Sequence, residues 1–122
     1  LPTSDSSVFT LSNISPFLDD QDAIQEVLKV FLENTSKSLG LMFSAVGNKD
    51  YNDIRATSHK MLPMFRQLEV QHAIPLLEIL ENISDDSKGE KAFHILSELK
   101  EVVDKMESDI QQYLAKHSVD ID

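Results

Sequence analysis

Apolar residues recur at steps of three and four through most of this chain. Only helices that turn one face towards a shared core satisfy that period. The longest run is Ala92, Leu96, Leu99, Val103, Met106, Ile110 and Tyr113. A second comprises Ile24, Leu28, Phe31, Leu39, Met42 and Val46, with Thr35 in the same stripe. A third is Ile54, Ser58, Met61, Phe65 and Leu68. Three glycines and four prolines among 122 residues leave too little turn punctuation for a many-stranded sheet. The expected fold is all-α: an antiparallel up-down four-helix bundle with a short additional N-terminal helix.

Capping residues mark the boundaries. Residues 1–8 are small and polar and read as a disordered linker, residues 9–117 as the bundle and residues 118–122 as a tail. Phe9 to Leu18 suits a short helix, with Ser12 or Ser15 as its cap and Pro16 in its first turn. Asp19 or Asp20 caps the first long helix. Gly47-Asn48-Lys49-Asp50 stops that helix and starts the next, with Gly or Asn as left-handed C-cap and Asp50 as N-cap. The second helix runs from near Tyr51 to Glu69 or Val70, and a shorter third covers about Ala73 to Ile83, with Pro75 in its first turn. A polar loop, Ser84 to Gly89, leads to a last helix from about Glu90 to Lys116.

Several functional classes fall away. There is no cysteine, hence no disulfide and no thiolate metal site, which is compatible with the cytosol. No apolar run approaches the roughly 18 residues of a membrane span. The opening LPTSDSSV lacks the features of a signal peptide, and a start at Leu1 reads as a piece of something larger. A net charge of −10 argues against nucleic acids and anionic membranes as partners. The charge is uneven. Between Lys49 and Arg66 four bases (Lys49, Arg55, Lys60, Arg66) outnumber two acids (Asp50, Asp53), a basic island suited to an acidic partner surface or a chance cluster. No glycine-rich phosphate loop and no dense metal-ligand motif is present, and His59, His72, His94 and His117 are far apart in sequence.

His59 is the candidate reactive side chain. With about 100° of turn per residue, it lies about 140° from the centre of the third stripe and so faces solvent. Arg55, Pro63 and Arg66 share its face, and Lys60 and Leu62 flank it. Imidazole, with an ordinary pKa of about 6.5, is mostly neutral and nucleophilic near neutral pH. Cations around it suit a group that must hold a phosphoryl anion. Pro63 sits inside the apolar period and removes the hydrogen bond to the His59 carbonyl, so the helix either kinks there or breaks at Leu62 and restarts. Leu62, Pro63 and Met64 place apolar surface beside the histidine, as a docking site would. The plainer reading is that Leu62 and Met64 widen the core stripe.

With these residues in view, the chain resembles the histidine-containing phosphotransfer (HPt) domains of two-component phosphorelays, from about Phe9 to Lys116. FTLSNISPFLDDQDAIQEVLKVFLENT is similar to the family's opening, and Ser58-His59-Lys60-Met61-Leu62-Pro63-Met64-Phe65 to its core motif. Ser58 matches the small residue, His59 the phosphoacceptor and Met61 the hydrophobe. Leu62 stands where the family usually has Lys, and Pro63 where it usually has Gly. The resemblance implies a shuttle. His59 takes a phosphoryl group from a receiver-domain aspartate and passes it to another receiver, with Lys60, Arg55 or Arg66 covering the charge. It also implies that Mg²⁺ sits on the receiver and no cofactor on this domain. A histidine kinase in the same chain, a cytoplasmic setting and a monomeric isolated domain are further expectations. The rivals are a non-catalytic helical adaptor (a pseudo-HPt) and a metal-binding bundle.

Overall fold

The structure, a computed structural model, describes residues 9–17, 20–85 and 89–119. Four α-helices account for most of them: α1 (Gln21–Gly47), α2 (Tyr51–Gln67), α3 (Ile74–Glu81) and α4 (Gly89–Val119). No strand occurs among the described residues. The expected linker 1–8 lies outside them. α4 extends to Val119, beyond the expected end at Lys116 and into the expected tail. The expected N-terminal helix is reduced to one 3-10 turn at Ser15–Phe17. The segment before that turn is tied down from outside. Thr10 N–H donates to the Leu68 carbonyl at 2.6 Å, and Asn13 Nδ2 donates to the Gln67 carbonyl at 2.9 Å. It therefore covers the carbonyls that α2 leaves unpaired at its end.

Each long helix starts and stops for identifiable reasons. Asp20 is the cap of α1 and accepts from Ala23 N–H at 2.7 Å; Asp50 caps α2 and accepts from Asp53 N–H at 3.1 Å. The left-handed residue between α1 and α2 is neither Gly47 nor Asn48 but Lys49, at φ 58°. Two crossing bonds explain the choice. Asp50 N–H donates to Ala45 O at 2.8 Å and Lys49 N–H to Val46 O at 3.1 Å, the Schellman pattern. The same closure ends α2 at Gln67, two or three residues before the expected boundary, with Glu69 at φ 51° and bonds from Val70 N–H to Phe65 O (3.0 Å) and Glu69 N–H to Arg66 O (3.1 Å).

Side-chain pairs give the helix directions. Phe31 and Phe65 meet edge to face at 5.1 Å, and Ser58 Oγ lies 3.4 Å from Met42 Sδ, so α1 and α2 are antiparallel. Gln21 reaches Tyr113 Oη at 2.6 Å while Phe43 meets Phe93 edge to face at 6.1 Å, so α1 and α4 are antiparallel too. α2 packs on α1 and α3, and α4 on α3 and α1, closing a four-helix ring. The core is what the period predicts. All five positions of the α2 stripe are buried, as are Ala92, Leu96, Leu99, Val103, Met106 and Ile110 of α4. Tyr113 and Val46 are half-buried, and Ala45 takes the core place expected of Val46.

Candidate functional site

α2 runs unbroken through Pro63. Proline has no N–H, so the His59 carbonyl is left without its usual helical donor, one turn from the candidate side chain. The imidazole of His59 is 76% exposed. Its Nδ1 contacts Glu81 Oε2 of α3, and its Nε2 has no hydrogen-bond partner among the described residues.

The helical period sorts the neighbours of His59 onto two flanks. Taking its direction as zero, Arg66, Arg55 and Leu62 fall at about −20°, −40° and −60°, while Pro63, Lys60 and Met64 fall at about +40°, +100° and +140°. The first flank faces α3. There Arg55 Nη1 donates to the Ile83 carbonyl at 2.7 Å, its Nη2 pairs with Asp85 at 2.8 Å and also bonds Asn52, and Arg66 Nη2 pairs with Glu78 Oε2 at 3.1 Å. Leu62, on the same flank, is 1% exposed. The expectation that Leu62 offers docking surface is thereby corrected. α2 is covered by α3 as well as α1, so its buried stripe is wider than a five-residue pattern shows. Arg55 and Arg66 lie beside His59 as expected, but each already holds a carboxylate.

The second flank faces α1. A groove of about 700 Å³ runs between the two helices, walled by Val27, Val30, Phe31, Met61, Met64 and Phe65, with Lys60 and Lys37 among its polar lining. Val30 is 42% exposed although apolar. Pro63 is exposed and Met64 half-buried, so these two retain the expected access to a partner. Lys60 is exposed and makes no hydrogen bond or ion pair among the described residues. It is the cation of the expected set that remains free to meet an incoming anion.

Sequence reasoning missed Glu81. On α3, Leu77 and Leu80 are buried while Glu78 is exposed and Glu81 half-buried, so the two acids read as ordinary polar surface. The available signal was register. An antiparallel α3 sets Glu78, Glu81 and Asp85 against Arg66, His59 and Arg55 in reverse order. The other histidines take no part. His94 Nε2 lies 3.4 Å from Glu98 one turn along α4, and His72 is exposed near the start of α3. The side chain of His117 lies outside the described residues. Among the described residues no three of the His, Cys, Asp or Glu side chains gather where a metal could be held, and no helix is long and apolar enough to cross a membrane.

Comparison with known proteins finds no match, whether to a family model, a characterised relative or a solved structure. Fold and side-chain geometry are therefore the grounds for a functional reading.

Proposed function

We propose that this chain is a histidine phosphotransfer module. It accepts a phosphoryl group on His59 from the aspartyl phosphate of a receiver domain and hands it to an aspartate of a second receiver. The observation that carries the reading is the exposed imidazole of His59, midway along α2, with Nδ1 held by Glu81 of another helix and Nε2 open among the described residues, while the next residue, Lys60, is an exposed cation. In the forward step the open nitrogen forms an N–P bond as the P–O bond to the donor aspartate breaks, and the electron pair leaves with that carboxylate. The receiver would supply Mg²⁺ and most of the charge compensation, so this domain contributes a nucleophile and its placement. The α1/α2 groove, with Met64 on its wall, and the exposed Pro63 give the receiver an apolar surface to rest on. A cytoplasmic location, a kinase in the same chain and a monomeric state belong to the same proposal.

One observation favours the adaptor reading. Both arginines near His59 are already paired, leaving fewer free cations for a phosphoryl group than a transfer site would use. Rates separate the two. The chain is mixed with a receiver domain carrying labelled aspartyl phosphate, and transfer is followed over time. Lys60→Ala is expected to slow transfer about 10-fold, the loss of one charged hydrogen bond of roughly 1.5 kcal/mol. Lys49→Ala, at the remote α1–α2 turn, is expected to leave it unchanged. Equal rates in the two variants would sink the role of Lys60, and no labelling from any receiver would favour the adaptor.

A further inference from the structure

The groove between α1 and α2 has two unlike ends. The antiparallel register set by the contact of Phe31 with Phe65 fixes which residues share a level. Lys37 follows Phe31 by six residues and Lys60 precedes Phe65 by five, so both lysines stand at one end. Glu26 precedes Phe31 by five residues and stands at the other. The walls between these ends are apolar. Val30 is exposed, and Val27 and Met64 are half-buried, so apolar area there is still open to water and gains from being covered. Both lysines are exposed, and neither makes a hydrogen bond or ion pair among the described residues. Each can take up an anion without giving up a partner, and their methylene stems extend the apolar walls.

We propose that this groove binds a monomeric single-chain carboxylate. Its head lies between Lys37 and Lys60, and its acyl chain runs along Met64, Val30 and Val27 towards Glu26. The size fits. The groove volume of about 700 Å³ falls within the roughly 300–1,000 Å³ of small-molecule sites. From Lys37 to Val27 it runs about 15 Å along α1, at roughly 1.5 Å per residue, a reach that suits a medium-length acyl chain. The charge pattern selects the head group. An uncharged amphiphile leaves both lysines unused, and a cationic one meets them as like charges. It also selects a free ligand over a bilayer. An anionic membrane would repel a chain of net charge −10, whereas one bound molecule presents its single charge to the two lysines. The phosphotransfer reading seats the receiver on the same groove, so ligand and receiver would exclude each other. That consequence rests on the phosphotransfer reading; the binding itself does not.

The test titrates decanoate, below its micelle concentration, into the full chain. Calorimetry reads the affinity, and the ¹³C-methyl signals of the methionines locate the ligand. One decanoate per chain is expected, shifting Met64 and leaving Met106, buried on α4, in place. Lys37→Ala and Lys60→Ala should each weaken binding about 5-fold, the upper end for an exposed ion pair. Decanol, with the same chain and no charge, should bind about 25-fold more weakly, both pairs being lost. Lys29→Ala, exposed on α1 outside the groove, should change nothing. Equal affinity for decanoate and decanol, or no effect of either groove lysine, would overturn the assignment. So would no binding, binding only to phosphatidylglycerol vesicles, or a Met64 shift produced by raising the protein concentration alone, the mark of a second copy in the groove. A second arm follows labelling of His59 by a phosphorylated receiver at subsaturating concentration. Decanoate at about ten times its Kd should slow labelling about 10-fold. Unchanged labelling would overturn the competition. Decanoate binding as expected, combined with no labelling from any receiver, would instead overturn the phosphotransfer reading.

Discussion

Replacing Leu62 by alanine separates a docking role from a core role. The residue is 1% exposed on the α3 side of α2, so its side chain is wholly removed from water. The substitution deletes three buried carbons, worth about 2.4 kcal/mol at roughly 0.8 kcal/mol each. A residual cavity adds to that, and measured Leu→Ala changes in cores span about 2–5 kcal/mol. The expected loss is about 3 kcal/mol. Domains commonly have about 5–15 kcal/mol of stability, so the variant should still fold. Urea unfolding followed by far-ultraviolet circular dichroism reads the effect. With a slope of about 2 kcal/mol per molar, the midpoint falls by about 1.5 M at unchanged slope. Met64→Ala, at a half-buried position, should lose less than half as much. A Leu62→Ala midpoint within about 0.3 M of wild type, or a larger loss in Met64→Ala, would refute the placement of Leu62 in the core.

Two further substitutions probe the backbone around the site. Pro63→Ala restores an N–H facing the His59 carbonyl inside α2 and should raise stability by about 1–3 kcal/mol, which the same urea assay would detect; a lower midpoint would show that the proline is accommodated without cost. Lys49→Gly should gain about 0.5 kcal/mol. It removes a left-handed penalty of about 1–2 kcal/mol for an L-residue and adds unfolded-chain freedom of about 0.4–1 kcal/mol. A loss of stability in that variant would contradict the φ of 58° assigned to Lys49.

What the sequence discloses here follows from the range of the interactions involved. The stripes of α2 and α4 are local, set by one helix and its period, and nearly every position on them is buried as expected. The exposure of His59 follows from the same wheel. The width of the α2 stripe depends on how many helices cover it, which the sequence of α2 alone does not contain, and Leu62 was therefore misplaced. The carboxylate partners of Arg55, His59 and Arg66 lie between 12 and 30 residues further along the chain, on or just after a short helix whose register against α2 is a tertiary property. Glu81 was invisible for the same reason. The left-handed residue between α1 and α2 is a subtler case. Gly47 and Asn48 tolerate that conformation best, but the crossing bonds to Ala45 and Val46 place it at Lys49.

The central claim concerns one atom-bearing residue, His59, and the phosphoryl group proposed for it. The most direct measurement incubates the wild-type chain and His59→Gln with a receiver domain carrying labelled aspartyl phosphate, then locates the label and its stability to acid and alkali. The account predicts one acid-labile, alkali-stable phosphate per wild-type chain, at His59, and none in His59→Gln. Label that persists in His59→Gln, or that maps to His72, His94 or His117, would contradict it.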